Sequence, residues 1–253
     1  MTLAIIIPVL NDAQALSQLL GDLRPALSSP SSPNVVANTG VDVVVVDGGS
    51  SDGVEQVCAN AGVRCIHSAR GRGEQLAAGV EATTGALIWM LHADSRVEPE
   101  GLRALTALVH DKPEPRVNEP PLWGRCQLRF EPPLSGMRMV AFFMHWRSRL
   151  TGICTGDQGI FVSRRLLERV GGVPRQPLME DIELSRRLKR LGGPPHVVPV
   201  VVRSSPRRWQ IHGVWRTIFL MWSMRFRYWR GVSPEALASA YRTASPSTEG
   251  GAR

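Results

Sequence analysis

Several carboxylates and guanidinium groups in this chain stand directly after runs of apolar residues. Asp94 follows the run Leu87-Ile88-Trp89-Met90-Leu91, which stops at His92-Ala93-Asp94-Ser95. Asp47 closes the run Val43-Val44-Val45-Val46 and opens Asp47-Gly48-Gly49-Ser50-Ser51-Asp52-Gly53. Asn11 and Asp12 follow LAIIIPV, and Arg70 and Arg72 alternate with Gly71 and Gly73. A carboxylate at the open end of a buried strand suits a hard divalent cation held together with phosphate oxygens. Guanidinium groups beside free glycine amides suit an anion, although a solvated charge is the alternative. Asp94 has the alternative of capping the next helix, and Asp52 that of capping the helix after it. Asp47 beside Gly48 and Gly49 permits close approach to a ring, with the carboxylate accepting from a base or ribose. Further on, Glu180, Asp181 and Glu183 form a second acidic group, which could simply complement a helix N-terminus.

These groups need a scaffold that gathers strand ends. Continuous β-branched runs at residues 3–9 and 41–46 read as strands buried on both faces of a parallel sheet, with Pro8 ending the first ladder. Shorter runs at 63–67 and 86–91 read likewise. Helices are expected at 12–23, 54–61, 75–82 and 99–110 from their apolar spacing. This β-α alternation predicts an α/β fold with a Rossmann-like, mostly parallel central sheet flanked by helices, in which ligands meet the carboxyl ends of the strands. Residues 28–40 and the Pro-rich 113–121 read as loops. Later, a strand at 123–130 precedes a helix at 136–150, with Met137, Val140, Ala141 and Met144 apolar and Arg138, Arg147 and Arg149 as a basic edge. Gly156-Asp157-Gln158 reads as a turn feeding a strand, either lining a pocket or serving only as strand entry. A helix at 178–188, a strand at 197–202 and a helix at 214–230 complete the chain, and 233–253 reads as a flexible tail.

The chain has 253 residues and a formal charge of +8, carried almost wholly by arginine. That balance points to an anionic partner, or to an arginine-biased composition. Cys58, Cys65, Cys126 and Cys154 have no CxxC or metal spacing and read as reduced thiols of a cytosolic protein. The start MTLAIIIPVLND lacks a basic leader, and no apolar stretch is long enough to span a bilayer. From Arg207 to Arg230 there are six arginines and no acid. Trp215, Phe219, Trp222, Phe226 and Trp229 share one helical face there, which suits an anionic membrane interface or a packing stripe. No nucleic-acid motif is found, so no nucleic acid is expected as a partner.

The blocks LAIIIPVLND, VVVVDGGSSDG, ARGRGEQLAAGV, LHADS, GDQGIFV, MEDIELSRRLKR and SPRRWQIHGVWRTI occur in the order seen in family-2 glycosyltransferases of the GT-A fold. The chain resembles most closely the small bacterial subgroup called rSAM/selenodomain-associated transferases. The resemblance implies a UDP- or GDP-linked sugar donor, Mg²⁺ or Mn²⁺, and non-processive inverting transfer of a hexosyl-type sugar to a hydroxyl acceptor, one that could be lipid-linked. It implies nucleotide contacts from Pro8, Asn11, Asp12, Asp47, Arg70, Arg72, Asp94 and Arg208, and an acceptor or sugar pocket at Gly156, Asp157, Gln158 and Trp209. Asp181 matches the family's general base and Glu180 stands beside it. His92 occupies the first acid of the family's Asp-x-Asp motif, so metal binding rests on Asp94, with His92 a second candidate ligand. Ser205 stands where processive members have Gln. The implied layout is a donor half at 1–97, an acceptor half at 98–210, an amphipathic helix at 211–232 and the tail. The implied setting is the cytoplasm, peripheral on the inner face of the membrane through Trp215 to Arg230. A nucleotidyltransferase or a non-catalytic nucleotide-sugar-binding protein on the same fold is the alternative. The former would want a Gly-rich basic loop after the first strand, which 8–12 lacks.

Overall fold

The computed structural model of the protein describes residues 2–27, 40–110, 122–132 and 136–244. The expected loops at 28–40 and 113–121 and the last part of the tail, 245–253, lie wholly or almost wholly outside the described residues. Strand β1 (Leu3–Val9) is buried along its whole length, as its apolar sequence requires. It lies between β2 (Val41–Asp47) and β4 (Leu87–Met90), and β3 (Arg64–His67) borders β2; all three pairings are parallel. Side chains on β1 alternate between two cores. Leu3, Ile5 and Ile7 pack with Leu16, Leu19 and Leu23 of α1 (Ala13–Leu27). Ala4 and Ile6 pack toward Leu76 of α3 (Arg72–Glu81) and toward Leu184 and Leu188 of α7 (Glu180–Gly192). Helix α2 (Val54–Ala61) joins the α1 layer through Val54 and Cys58. The pairing of β1 continues one residue past Pro8, to Val9 opposite Asp47.

The sheet has eight strands in the order β3-β2-β1-β4-β7-β6-β8-β5, with β5 (Ser95–Val97), β6 (Trp123–Phe130), β7 (Ile160–Ser163) and β8 (His196–Ser204). β7 is antiparallel to β4 and β6, whereas β6 and β8 are parallel. β5 joins the far edge, antiparallel to β8. Only five Cα steps separate Met90 from Ser95, a reach of roughly 17 Å. Four strand spacings lie between their strands, about 19 Å in a flat sheet. The sheet therefore curls, which brings β5 beside α1, where Arg96 pairs with Asp22 at 2.6 Å. Helix α4 (Pro99–His110) covers the curl with Leu102 and Leu105. This α/β sheet flanked by helices on both faces is the expected architecture.

Helix boundaries and several small elements differ from the expectations. α3 starts at Arg72 rather than 75, and α7 runs from Glu180 to Gly192 rather than over 178–188. Three short elements carry no periodicity strong enough to be read: β5, α6 (Arg164–Arg169) and α8 (Arg207–His212). The expected tail at 233–253 is corrected in part: 234–244 forms α10 (Pro234–Ala244), with Pro at its first position and Leu237 fully buried beside Met179, Ile182 and Met224. Among the four cysteines, Cys58, Cys126 and Cys154 are buried and Cys65 is half-buried, all as free thiols.

Helix α5 (Met137–Thr151) packs Met137, Val140 and Ala141 on Leu128 and Phe130 of β6, as its apolar spacing predicts. Helix α9 (Val214–Trp229) sets Val214 and Ile218 against the same cluster and buries Met224 in the next. The aromatic stripe of α9 is therefore not a packing face. Trp215, Phe219, Trp222, Phe226 and Trp229 are all exposed, from 58% to 77%. Phe142, Phe143 and Trp146 of α5 are exposed as well.

Candidate active site

The carboxyl ends of β1, β2 and β4 lie side by side, and two side chains tie the first two together. Gln75 is buried on the first turn of α3 and donates from Nε2 to the carbonyls of Val9 at 2.7 Å and Val46 at 2.8 Å. Asn11, at φ 50°, accepts on Oδ1 from the amide of Ser51 at 2.9 Å, and its own amide donates to Ser50 Oγ at 2.9 Å. The loops after β1 and β2 thus form one cradle. Gln75→Leu should lower stability by about 2 kcal/mol, because two buried hydrogen bonds go while the strand ends stay packed. Urea unfolding measures it, and a loss under half that size would show that Gln75 does not hold the cradle.

In this cradle Asp47 is buried and already receives the Ser50 amide at 3.0 Å and its hydroxyl at 2.6 Å. His67 Nδ1 stands 3.7 Å from Asp47 and its Nε2 lies 2.9 Å from Glu55. Asp52 does cap a helix, but it is α1: its Oδ2 accepts the Ala13 amide at 2.8 Å. Burial raises the pKa of Asp12, and the Asp94 carboxylate adds to the rise while Arg207 opposes it. Asp12 and Asp94 therefore lie within electrostatic reach at the ends of β1 and β4. Arg207 of α8 is a basic residue within reach of Asp12; the Arg208 side chain lies outside the described residues. Arg70 is exposed on the loop between β3 and α3.

A second group gathers at the end of β4. The α3 residue Arg72 pairs through Nε with Glu180, which is buried at the first turn of α7. Burial alone would lower the pKa of Arg72, but Glu180 and then Asp181 outweigh it and raise it. His92 places Nδ1 3.1 Å from Asp157 and Nε2 3.5 Å from Arg72 Nη1. A Cβ on Gly156 would collide with the His92 ring, so the close approach needs glycine there. Asp181 accepts the Gly156 amide on Oδ2 at 3.1 Å and the Ile182 amide on Oδ1 at 2.8 Å. Met179, at φ 65°, makes the bend that aims the α7 N-terminus at this point.

Arg72, His92, Gly156, Asp157, Glu180 and Asp181 are thus one connected cluster. Gln158 differs from expectation: it is fully buried, its amide holding Thr155 at 3.1 Å and Ser148 at 3.4 Å, so it builds the turn instead of lining a pocket. Trp209 packs edge-on against Phe130, with centroids 6.1 Å apart. Among the described residues no three His, Cys, Asp or Glu side chains form a metal cage. A cation shared with a diphosphate needs only one or two carboxylates, so Asp94 with Asp12 nearby fits Mg²⁺ or Mn²⁺ without such a cage. Sequence reasoning misses the role of Gln75 and places Arg147 only on a basic edge. Gln75 and Arg147 are both polar residues standing in phase with the buried face of a helix, and that phase is the signal.

The sequence profile described as Glycosyl transferase family 2 matches residues 4–169. No curated protein matches the chain. Among solved structures, the mannosyltransferase from Pyrobaculum calidifontis, in complex with GDP-Man and Mn²⁺, is 21% identical with a TM-score of 0.58 over 85% of this chain and 59% of that one. TarS 1–349 from S. aureus is 15% identical with a TM-score of 0.58, over 86% and 64%. Glucosyl-3-phosphoglycerate synthase from Mycobacterium tuberculosis, in complex with phosphoglyceric acid, is 18% identical with a TM-score of 0.55, over 81% and 70%. The chain spans about three fifths of the length of the first two. These likenesses agree with a GT-A fold.

Proposed function

Since this chain belongs to glycosyl transferase family 2, as the match over residues 4–169 shows, we propose that it transfers a hexosyl group, with inversion and without processivity, from a UDP- or GDP-linked donor to a hydroxyl acceptor. The observation that carries this reading is the presence of Asp181 in the same cluster as Arg72 and His92, at the end of β4. The cradle of Pro8, Asn11, Asp12 and Asp47, with Arg70 on its rim, takes the nucleotide. Residues to 97 serve the donor, and those from 98 to 210 chiefly the acceptor. Asp94 would hold Mg²⁺ or Mn²⁺, which when bound offsets charge on the leaving diphosphate. Arg72 offers a guanidinium to the same anion while Glu180 fixes its direction. Asp181 takes the acceptor proton, its carboxylate oriented by the Gly156 and Ile182 amides. His92 holds Asp157 and Arg72 in register; its two ring nitrogens face those partners. The motif blocks favour the rSAM/selenodomain-associated subgroup.

We place the enzyme at the inner, anionic face of a membrane. No helix among the described residues is long and apolar enough to cross one. The exposed aromatic stripes of α5 and α9 beside Arg216, Arg227 and Arg230 support peripheral binding.

Thermal unfolding with UDP, GDP and their sugars, each with and without Mn²⁺, tests the donor reading. At a nucleotide concentration 100 times Kd, linkage predicts about 2.7 kcal/mol of stabilisation. That corresponds to a rise in Tm of roughly 5–10 °C, present with Mn²⁺ and small without it. No metal-dependent rise with any of these nucleotides would overturn the reading.

A further inference from the structure

Among the described residues, two guanidinium groups near Asp181 have no ion-pair partner. Arg147 of α5 has Nε and Nη2 buried with no hydrogen-bond partner among the described residues. Arg225 of α9 makes no salt bridge or hydrogen bond among them either. Burial pushes Arg147 down to about 10, helped by the repulsion of Arg225, and burial lowers Arg225 as well. Asp181 acts favourably on both and Asp157 on Arg225, at a distance rather than in contact. A buried guanidinium without a partner is costly, the more so beside the half-buried Arg225, and an anion that enters between them removes the cost. Two forked, permanently charged donors match a phosphate monoester dianion in charge and in hydrogen-bond geometry.

The surroundings say what else such a ligand carries. Arg225 lies between two cavities. One, of about 260 Å³, is lined by Arg72, Asp181, Met221, Arg225, Tyr241 and Arg242, so it opens on the candidate base. The other is an open groove in which Arg147 and Arg225 stand beside Phe219, Trp222 and Phe226. One end of the path is therefore catalytic, the middle cationic and the far end apolar and exposed.

We propose that Arg147 and Arg225 form the anion subsite of the acceptor, and that the acceptor is an amphiphile carrying a phosphate group. The phosphate sits between the two guanidinium groups, the apolar chain lies along Phe219, Trp222 and Phe226, and a hydroxyl of the same molecule reaches Asp181. This rests on the glycosyltransferase reading for the role of Asp181, but the subsite itself can be tested apart from transfer.

Calorimetric titration of the whole chain with octyl phosphate, octanol and inorganic phosphate is the experiment. Octyl phosphate should bind at least about tenfold more tightly than either of the other two, since it alone fills both parts of the path. Arg147→Met with Arg225→Met should cost octyl phosphate at least about tenfold, while a nucleotide diphosphate with Mn²⁺ binds as before. Equal binding of octyl phosphate and octanol, or full retention by the double variant, would overturn the anion subsite. Inorganic phosphate binding as tightly as octyl phosphate would overturn the amphiphilic acceptor. If the double variant does not fold, Arg225→Lys keeps the charge but loses the fork, and unchanged octyl phosphate affinity in that variant overturns the proposal as well. Octyl phosphate binding without any nucleotide binding would sink the glycosyltransferase reading and leave the subsite standing.

Discussion

Asp181→Asn should leave nucleotide affinity unchanged and slow sugar transfer about 1,000-fold, the middle of the range for losing a positioned general base. The expectation rests on how the carboxylate is held. Oδ2 is tied to the Gly156 amide and Oδ1 to the Ile182 amide. An amide side chain keeps the shape and one acceptor, so the α7 N-terminus stays in place, but it has no basic oxygen to receive the acceptor proton. Initial rates at saturating donor and acceptor, paired with a nucleotide titration, separate the two effects. Transfer within about threefold of the parent would remove Asp181 from the base role, and a parallel loss of nucleotide affinity would show that the substitution had disturbed the donor side instead.

The second large effect is expected at the end of β4. Asp94→Asn should weaken nucleoside diphosphate binding by about 100-fold when Mn²⁺ is present, which is about 2.7 kcal/mol, and leave the weaker metal-free affinity as it was. Asn keeps the turn between β4 and β5 but replaces a charged, hard oxygen donor with a neutral one. The difference between titrations with and without Mn²⁺ is the readout. If Mn²⁺ still tightens binding by the parent's factor, the cation is held elsewhere, and Asp12 becomes the first residue to examine.

Much of this arrangement could be read from residue types because the central strands are buried on both faces. Val43 to Val46 and Ile5 to Ile7 can serve only in a doubly covered sheet, and Asp47 and Asp94 stand out where those runs stop. The parts that escaped reading depend on partners far away in the chain. β5 is three residues long and exists because β8 lies beside it. α10 carries mostly small side chains, and Leu237 becomes a core residue only against Met179 and Ile182. Arg147 reads as one of a basic edge with Arg138 and Arg149, yet it follows Val140 and Met144 in the phase of the buried face. Its two neighbours are exposed; it is not. The stripe of α9 admits packing or membrane contact by spacing alone. What excludes packing is the burial of the opposite face, through Thr217 and Met224.

The curl of the sheet also sets an order in time. β1 to β4 pair with one another, so they can assemble once residue 90 has left the ribosome. The turn bearing Asp94 is different: its far side is held by Ser95 facing Ser204, Arg96 facing Arg203 and Val97 facing Val202. Such non-local pairing forms slowly and late. The nascent β1–β4 unit therefore waits, with the turn after β4 unanchored, until residue 204 has been made. Pulse-labelled hydrogen exchange during refolding would see the amides of β1 and β2 protected first and those of β5 and β8 last.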